Sequence, residues 1–348
     1  MQGVLLLKHR VHNPELPGQL HSVDERVVTP GFFHDDRKLS PYSVFGLMLI
    51  YTLSAAACYT MIKAGLEYAP PLQFAGLRTL IGGFSLIVLL LVLQKPVFPH
   101  RDLLKWILPV GLVSTTITFG FMFSSPEYTS AGIASVLGNA QPLAIIALAA
   151  LFLGEKISPL KIAALFLGLS GVILISANAL MDENQHGFVG IMLATATSAG
   201  AAVTAVLLKK IKPGRDLISL TGWQLVAGSL PLFLGSQFIE AGRLVSWEGT
   251  FVGLVAFLGV IGTGLTTIIW FWLLQKYNAG SLSLYLFLIP VFGLLIAFIV
   301  FNESLQLFEI IGITLAIIAI GLAVANEYKG RINESQSNIK TQSMNHDG

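Results

Sequence analysis

Charge is what this sequence has least of. Only 11% of its 348 residues are Asp, Glu, Lys or Arg, against roughly 25% in an ordinary soluble domain. Hydrophobic residues make up 54% of the chain, and the mean hydropathy is +0.74. A soluble chain of this length has no way to hide that much apolar surface, whereas a bilayer accepts it on every outward face. The chain therefore reads as an all-α membrane protein. Cysteine is almost missing as well. Cys58 stands alone, which excludes an internal disulfide and a cysteine-based metal cluster, and it reads as a small packing residue. A net charge of +2 is too small to suggest a nucleic-acid partner. No nucleotide-binding loop is present, and no metal or cofactor is expected.

The two ends of the chain are a different material. Residues 1–41 are polar, proline-bearing and without helical period, and "GVLLL" is too short for a signal-peptide core. Residues 327–348 have the same character. Both read as disordered tails. Between them, apolar runs of about 20 residues separated by short polar breaks predict ten transmembrane helices. They cover 42–63, 71–94, 103–124, 129–153, 159–179, 187–208, 216–239, 249–274, 279–301 and 307–326. With the N-terminus placed in the cytoplasm, 18 of the 21 basic residues fall on the inner side; Lys63 and Arg243 fall outside and Arg78 within span two. That asymmetry predicts cytoplasmic N- and C-termini in a multi-pass protein of the cell membrane.

The chain also repeats itself. "PLAIIALAALFLGE", Pro142 to Glu155, returns as "PVFGLLIAFIVFNE", Pro290 to Glu303, 148 positions later. At the same offset Ala131-Gly132 falls on Ala279-Gly280, Ser135 on Ser283 and Ile162 on Ile310. Nearer each start, at an offset of 144, Gly46 falls on Gly190, Met48-Leu49 on Met192-Leu193 and Ser54-Ala55 on Ser198-Ala199. The expected architecture is two inverted five-helix repeats, 42–179 and 187–326. Five is odd, so the second copy enters the membrane from the opposite side. Inverted repeats let each half adopt the conformation its partner has left, which is the symmetry of a transporter.

The pattern "TSAGIASVLGNAQPLAIIALAALFLGEKISPLKIAALFLGLSGVIL" and its echo "NAGSLSLYLFLIPVFGLLIAFIVFNESLQLFEIIGITLAIIAIG" resemble the EamA-type branch of the drug/metabolite transporter superfamily. The resemblance covers about residues 42–326, and the second copy departs from it at Asn302, where the family usually has glycine. It implies a ten-helix carrier with a central cavity, commonly exporting amino acids or other small metabolites.

Candidate transport residues follow from their cost in lipid. Arg78, two turns below the outer end of span two, must face protein or water, since an arginine in the bilayer centre costs at least ~2.5–3.5 kcal/mol. It is either a two-pronged anchor for a substrate carboxylate or phosphate, or a structural arginine bonded to helix carbonyls. Its place in the second half falls near the uncharged Gln224. Pro142 and Pro290 each remove a backbone donor and free a carbonyl four residues earlier, on Gly138 and Leu286, and so kink their helices. Asn139, Gln141 and Tyr285, at matching depth, either line the cavity or bond neighbouring helices. The run "GVIGTGLTTIIWFW" contributes Thr263 and Trp270, and Tyr59 lies near the outer end of span one; threonine often bonds its own backbone, and the aromatics face either cavity or lipid. Glu155 and Glu303 read as structural hinge caps at helix starts.

No Asp, Glu or histidine falls in the central part of a span. This disfavours a mid-depth proton site and leaves diffusion, exchange or coupling at the mouths. An enzyme would need a nucleophile with a partnering base, and the spans offer serine and threonine without one. The leading reading is a secondary transporter moving small metabolites, amino acids or related compounds, outward by alternating access. The alternative is an organic-anion, sugar-phosphate or nucleotide-sugar exchanger with Arg78 as charge partner. The partners expected are a small-molecule solute and the lipid bilayer, with a homodimer left open.

Overall fold

The computed structural model describes residues 39–129, 136–177, 187–301 and 306–325. Polar-proline junctions start several helices. Ser40 caps α1 (Pro41–Gly65), its side chain accepting from the Ser43 N–H at 3.1 Å, and Pro70-Pro71 opens α2 (Pro71–Val92). Ser158-Pro159 likewise opens α5 (Pro159–Ile175). Serine supplies the acceptor that a helix start lacks, and a proline in the first turn loses no bond. The remaining helices are α3 (Arg101–Tyr128), α4 (Val136–Leu153), α6 (Phe188–Ile211), α7 (Leu217–Ile239), α8 (Gly249–Lys276) and α10 (Leu307–Ala325). Helix α9 is built from Ala279–Leu284, a tight turn at Tyr285–Phe287, and Leu288–Phe301.

Among the described residues, nine helices are long and apolar enough to cross a membrane; α5, at 17 residues, is a shorter apolar tenth. The expected spans are thus found, with revised ends. Helix α3 runs to Tyr128, and its 28 residues reach about 42 Å, enough to cross the hydrocarbon at a tilt. Large apolar side chains cover the outside, among them Leu151, Phe166 and Ile299 at 64–77% exposure. Lipid, not water, is the solvent that suits them.

Two of the helices deviate at matching places. Helix α3 widens to π geometry at Gly111–Ile117, and α8 does so at Val260–Leu265, one repeat offset apart. Each widened segment receives the second helix of the opposite half. Gly82 of α2 lies against α8, where an added Cβ would sit 2.9 Å from the Gly259 carbonyl oxygen. Gly228 of α7 lies against the Gly111 carbonyl of α3 in the same way. Helices α2 and α7 then meet each other, a Cβ on Gly83 standing 2.7 Å from the Gly222 oxygen. Lipid tails are as apolar as leucine, so close backbone contact through small residues is what holds such helices together.

Two apolar clusters close the ends of this frame. At one end, to be called the basic end because Lys95, Lys105, Lys156, Lys209 and Lys276 gather there, Met48, Leu208, Leu220, Leu273 and Tyr285 pack together. At the other, Phe74, Phe123, Phe251 and Leu258 pack, with the Phe74 and Phe123 rings edge to face at 5.4 Å.

Gly83→Ala should destabilise the protein by about 1–3 kcal/mol, read as a lower melting temperature in detergent. Gly253→Ala, whose added methyl meets nothing within 4 Å, should be neutral or stabilising by up to ~1 kcal/mol.

Candidate solute cavity

Where the two halves meet, a cavity of ≈ 160 Å³ opens between α1, α2, α3, α4, α6, α8 and α9. Its walls carry hydroxyls from Ser114, Thr118, Thr197, Thr204, Thr266 and Thr267, the amide of Gln141, and the rings of Tyr51, Phe119, Trp270 and Phe271. Arg78 is the one charged side chain in this lining.

Arg78 is buried and held from across the halves. Its Nε donates to Thr263 Oγ1 at 2.6 Å and its Nη2 to the Gly262 carbonyl at 2.9 Å. Both partners lie in the widened segment of α8, whose loosened backbone presents a carbonyl sideways. The rings of Phe119 and Phe123 face the guanidinium carbon at 5.3 and 5.7 Å, a favourable arrangement for a cation over an aromatic face. The related place in the other half holds the expected Gln224: Thr115 Oγ1, in the widened segment of α3, donates to Gln224 Oε1 at 2.9 Å. Thr115 and Thr263 are one repeat offset apart.

The structure sorts the other expected site residues. Gln141 and Trp270 line the cavity, Trp270 stacked on Tyr51 with ring centres 5.5 Å apart. Thr263 is fully buried behind Arg78 and positions it. Asn139 turns away from the main cavity into a second space beside α9, together with Pro290. Tyr285 lies in the packed cluster at the basic end, its ring 6.3 Å from that of Phe45, and is not part of the lining. The Tyr59 side chain and Glu303 lie outside the described residues. Tyr51, Phe119 and Met122 line the cavity without having been singled out, because an aromatic or methionine on an apolar helix gives the same sequence signal whether it faces cavity or lipid.

Pro142 begins the regular part of α4 after a turn at Asn139–Ala140. The carbonyl it frees, on Gly138, accepts from Ser198 Oγ of the opposite half at 3.0 Å, and Ser198 also bonds the Leu137 carbonyl. Pro290 follows the tight turn Tyr285–Phe287 within α9.

Glu155 is a cap, but of a different helix from the one that follows it in sequence. Gly154 reverses the chain at φ +65°, and the carboxylate accepts from the Ala279 N–H at 2.8 Å and the Gly280 N–H at 3.1 Å, at the start of α9. Helix α5 is capped by Ser158 instead. Lys209 of α6 reaches Glu155 Oε1 at 2.8 Å and also donates to the Tyr277 carbonyl. Lys161 of α5 donates to Asn278 Oδ1 at 2.7 Å. These bonds tie the halves together across the basic end. Burial alone would raise the Glu155 carboxyl, but the Lys209 hydrogen bond, the two backbone N–H groups and the Lys209 charge outweigh it and hold the pKa below its ordinary 4.5.

A group whose folded pKa is depressed contributes stability that is whole above its unfolded value and lost as pH falls through the folded one. Wild type should therefore be more stable than Glu155→Gln by about 1–3 kcal/mol at neutral pH. In melting curves that gap should persist down to pH 4.5 and close below it.

The chain is similar to several known proteins. A protein of Bacillus subtilis (strain 168) described as "Uncharacterized transporter YvbV" is 31% identical over 268 residues, 76% of this chain and 86% of that one. A "Probable amino-acid metabolite efflux pump" of Salmonella typhimurium is 29% identical over 266 residues, 74% of this chain and 86% of the relative. Its namesake in Escherichia coli (strain K12) is 28% identical over 267 residues, with the same shares. A crystal structure superposes with a TM-score of 0.70 over 84% of this chain and 99% of its own, at 19% identity, a likeness of fold. The model of the EamA-like transporter family matches twice, over residues 43–177 and 188–325. The chain belongs to the EamA-like transporter family, a multi-pass membrane transporter built from two repeats.

Proposed function

We propose that the protein is a secondary carrier that exports amino acids or closely related carboxylates across the cell membrane by alternating access, with its basic end in the cytoplasm. The observation that carries this reading is the lone charge of Arg78 in a lining that otherwise mixes hydroxyls, one amide, aromatic rings and small or aliphatic residues. A guanidinium attracts a carboxylate by charge. The surrounding hydroxyls suit an ammonium or other polar group, and the rings suit an apolar remainder. At ≈ 160 Å³ the space is below the roughly 300–1,000 Å³ of sites for drug-sized ligands, which favours a small metabolite.

Thr263 and the Gly262 carbonyl keep the guanidinium at the wall, so the anion comes to it and the arginine does not have to reorganise. The ties at the basic end support a conformer shut on that side. Rocking of one half against the other would release Glu155 and Lys209 and open the same cavity inward. Placing the basic end in the cytoplasm follows the Lys and Arg bias, and the direction of transport follows the names of the relatives with 28–29% identity.

Purified protein in liposomes, loaded with an unlabelled amino acid, should accumulate the labelled one by counterflow. Arg78→Ala should lower that counterflow about tenfold or more, the loss of one charged hydrogen bond at ~1.5–3 kcal/mol, with an unchanged elution profile in detergent; Arg78→Lys should retain part of it. Undiminished counterflow in a folded Arg78→Ala protein, or no movement of any amino acid by wild type, would refute the reading.

A further inference from the structure

A second space of ≈ 210 Å³ lies beside the solute cavity, walled by Ala56 of α1, Asn139 of α4, Ile175 of α5, and Pro290, Gly293 and Leu294 of α9. One residue, Ile289, lines both spaces. Ala55 faces the solute cavity and its neighbour Ala56 the second space; Gly138 faces the cavity and its neighbour Asn139 the second space. A Cβ placed on Gly138 or on Gly293 would meet nothing within 4 Å. The two spaces thus share Ile289, and the first has more polar groups in its lining than the second.

This second space is only partly enclosed, and its lining is largely apolar. Water suits it poorly, because the lining offers Asn139 as its polar side chain among hydrocarbon. The backbone beside Ile289 is also unusually easy to adjust. Pro290 removes the next amide donor, and the tight turn Tyr285–Phe287 ends two residues before Ile289.

We propose that this second space is the apolar side-chain subsite of the carrier, entered past Ile289, and that the preferred solutes join a carboxylate head at Arg78 to an apolar tail. The inference rests on the carboxylate-carrier reading above and adds the selectivity to it. Head and tail are divided between chambers: the arginine, hydroxyls and Gln141 hold the first, and Ile289, Leu294 and Ile175 take the second. Gly293 is small because a side chain there would occupy the tail's place. Ile289 sets how large a tail passes.

The test compares leucine with serine, which share a head group, in counterflow by the full-length protein in liposomes. Gly293→Leu should lower leucine counterflow relative to serine about tenfold or more, the scale of one or two methylenes in an apolar pocket. Ile289→Ala should raise the leucine-to-serine ratio. An elution profile and a melting temperature in detergent like those of wild type show that each variant is folded. A leucine-to-serine ratio that stays constant in both variants overturns the proposal, as does a ratio that follows the acyl-chain length of the liposome lipid and not the variant, which would assign the space to lipid. Wild type moving serine but not leucine overturns the subsite and leaves the carrier standing; wild type moving neither removes the carrier reading and the subsite with it.

Discussion

A guanidinium eight residues into an apolar helix has to be answered by other polar groups, and in this protein the answer comes from the opposite half of the chain. Arg78 bonds Thr263 and Gly262. The same is true of the other buried polar groups that matter. Gln224 accepts from Thr115, the Gly228 carbonyl accepts from Thr116 at 2.7 Å, and the Gly138 carbonyl freed by Pro142 accepts from Ser198. Within hydrocarbon an unsatisfied backbone or side-chain group costs several kcal/mol, while apolar contact between helices gains little over contact with lipid. Exchange of polar partners, together with glycine-lined approach, therefore fixes how the halves dock. The solute cavity is the space left where that docking is loosest.

The two docking contacts are related by the repeat but are not equal. Arg78 brings a full charge and two hydrogen bonds to one widened helix; Gln224 brings a neutral amide to the other. Charge-assisted bonds are roughly twice as strong as neutral ones, so bond for bond the Arg78 contact is the stronger, while α3 and α7 share two neutral bonds, Thr115 to Gln224 and Thr116 to the Gly228 carbonyl. The cavity inherits this inequality as a single positive pole on one wall. The ties at the basic end add a second asymmetry, since they involve lysines, a carboxylate and helix-start amides that draw on four helices, α4, α5, α6 and α9.

Much of this was legible in the sequence, and the reasons differ residue by residue. The helix count follows from apolar run length, and the pairing of halves follows from the Pro-to-Glu repeat. The inward direction of Arg78 follows from the cost of the alternative. The widened segments were not legible: "GLVSTTI" and "VIGTGL" read as ordinary helix, because π geometry is decided by what packs against it. Glu155 was recognised as a cap, but its target is set by the tertiary crossing of α4 and α9, which sequence adjacency with α5 concealed. Asn139 and Gln141 looked like one constellation. The turn before Pro142 rotates them into different spaces. Tyr285 looked like a cavity aromatic until the tight turn at Tyr285–Phe287 carried it into the packed end.

The reciprocity of Thr115 and Thr263 bears on how such a molecule could have arisen. Because each half offers a threonine in its widened third helix and a polar side chain on its second, two copies of the first half alone would face Arg78 with Thr115. Two copies of the second would face Gln224 with Thr263. Either pairing keeps donor against acceptor, so a symmetric ancestor of half the length could assemble before any fusion.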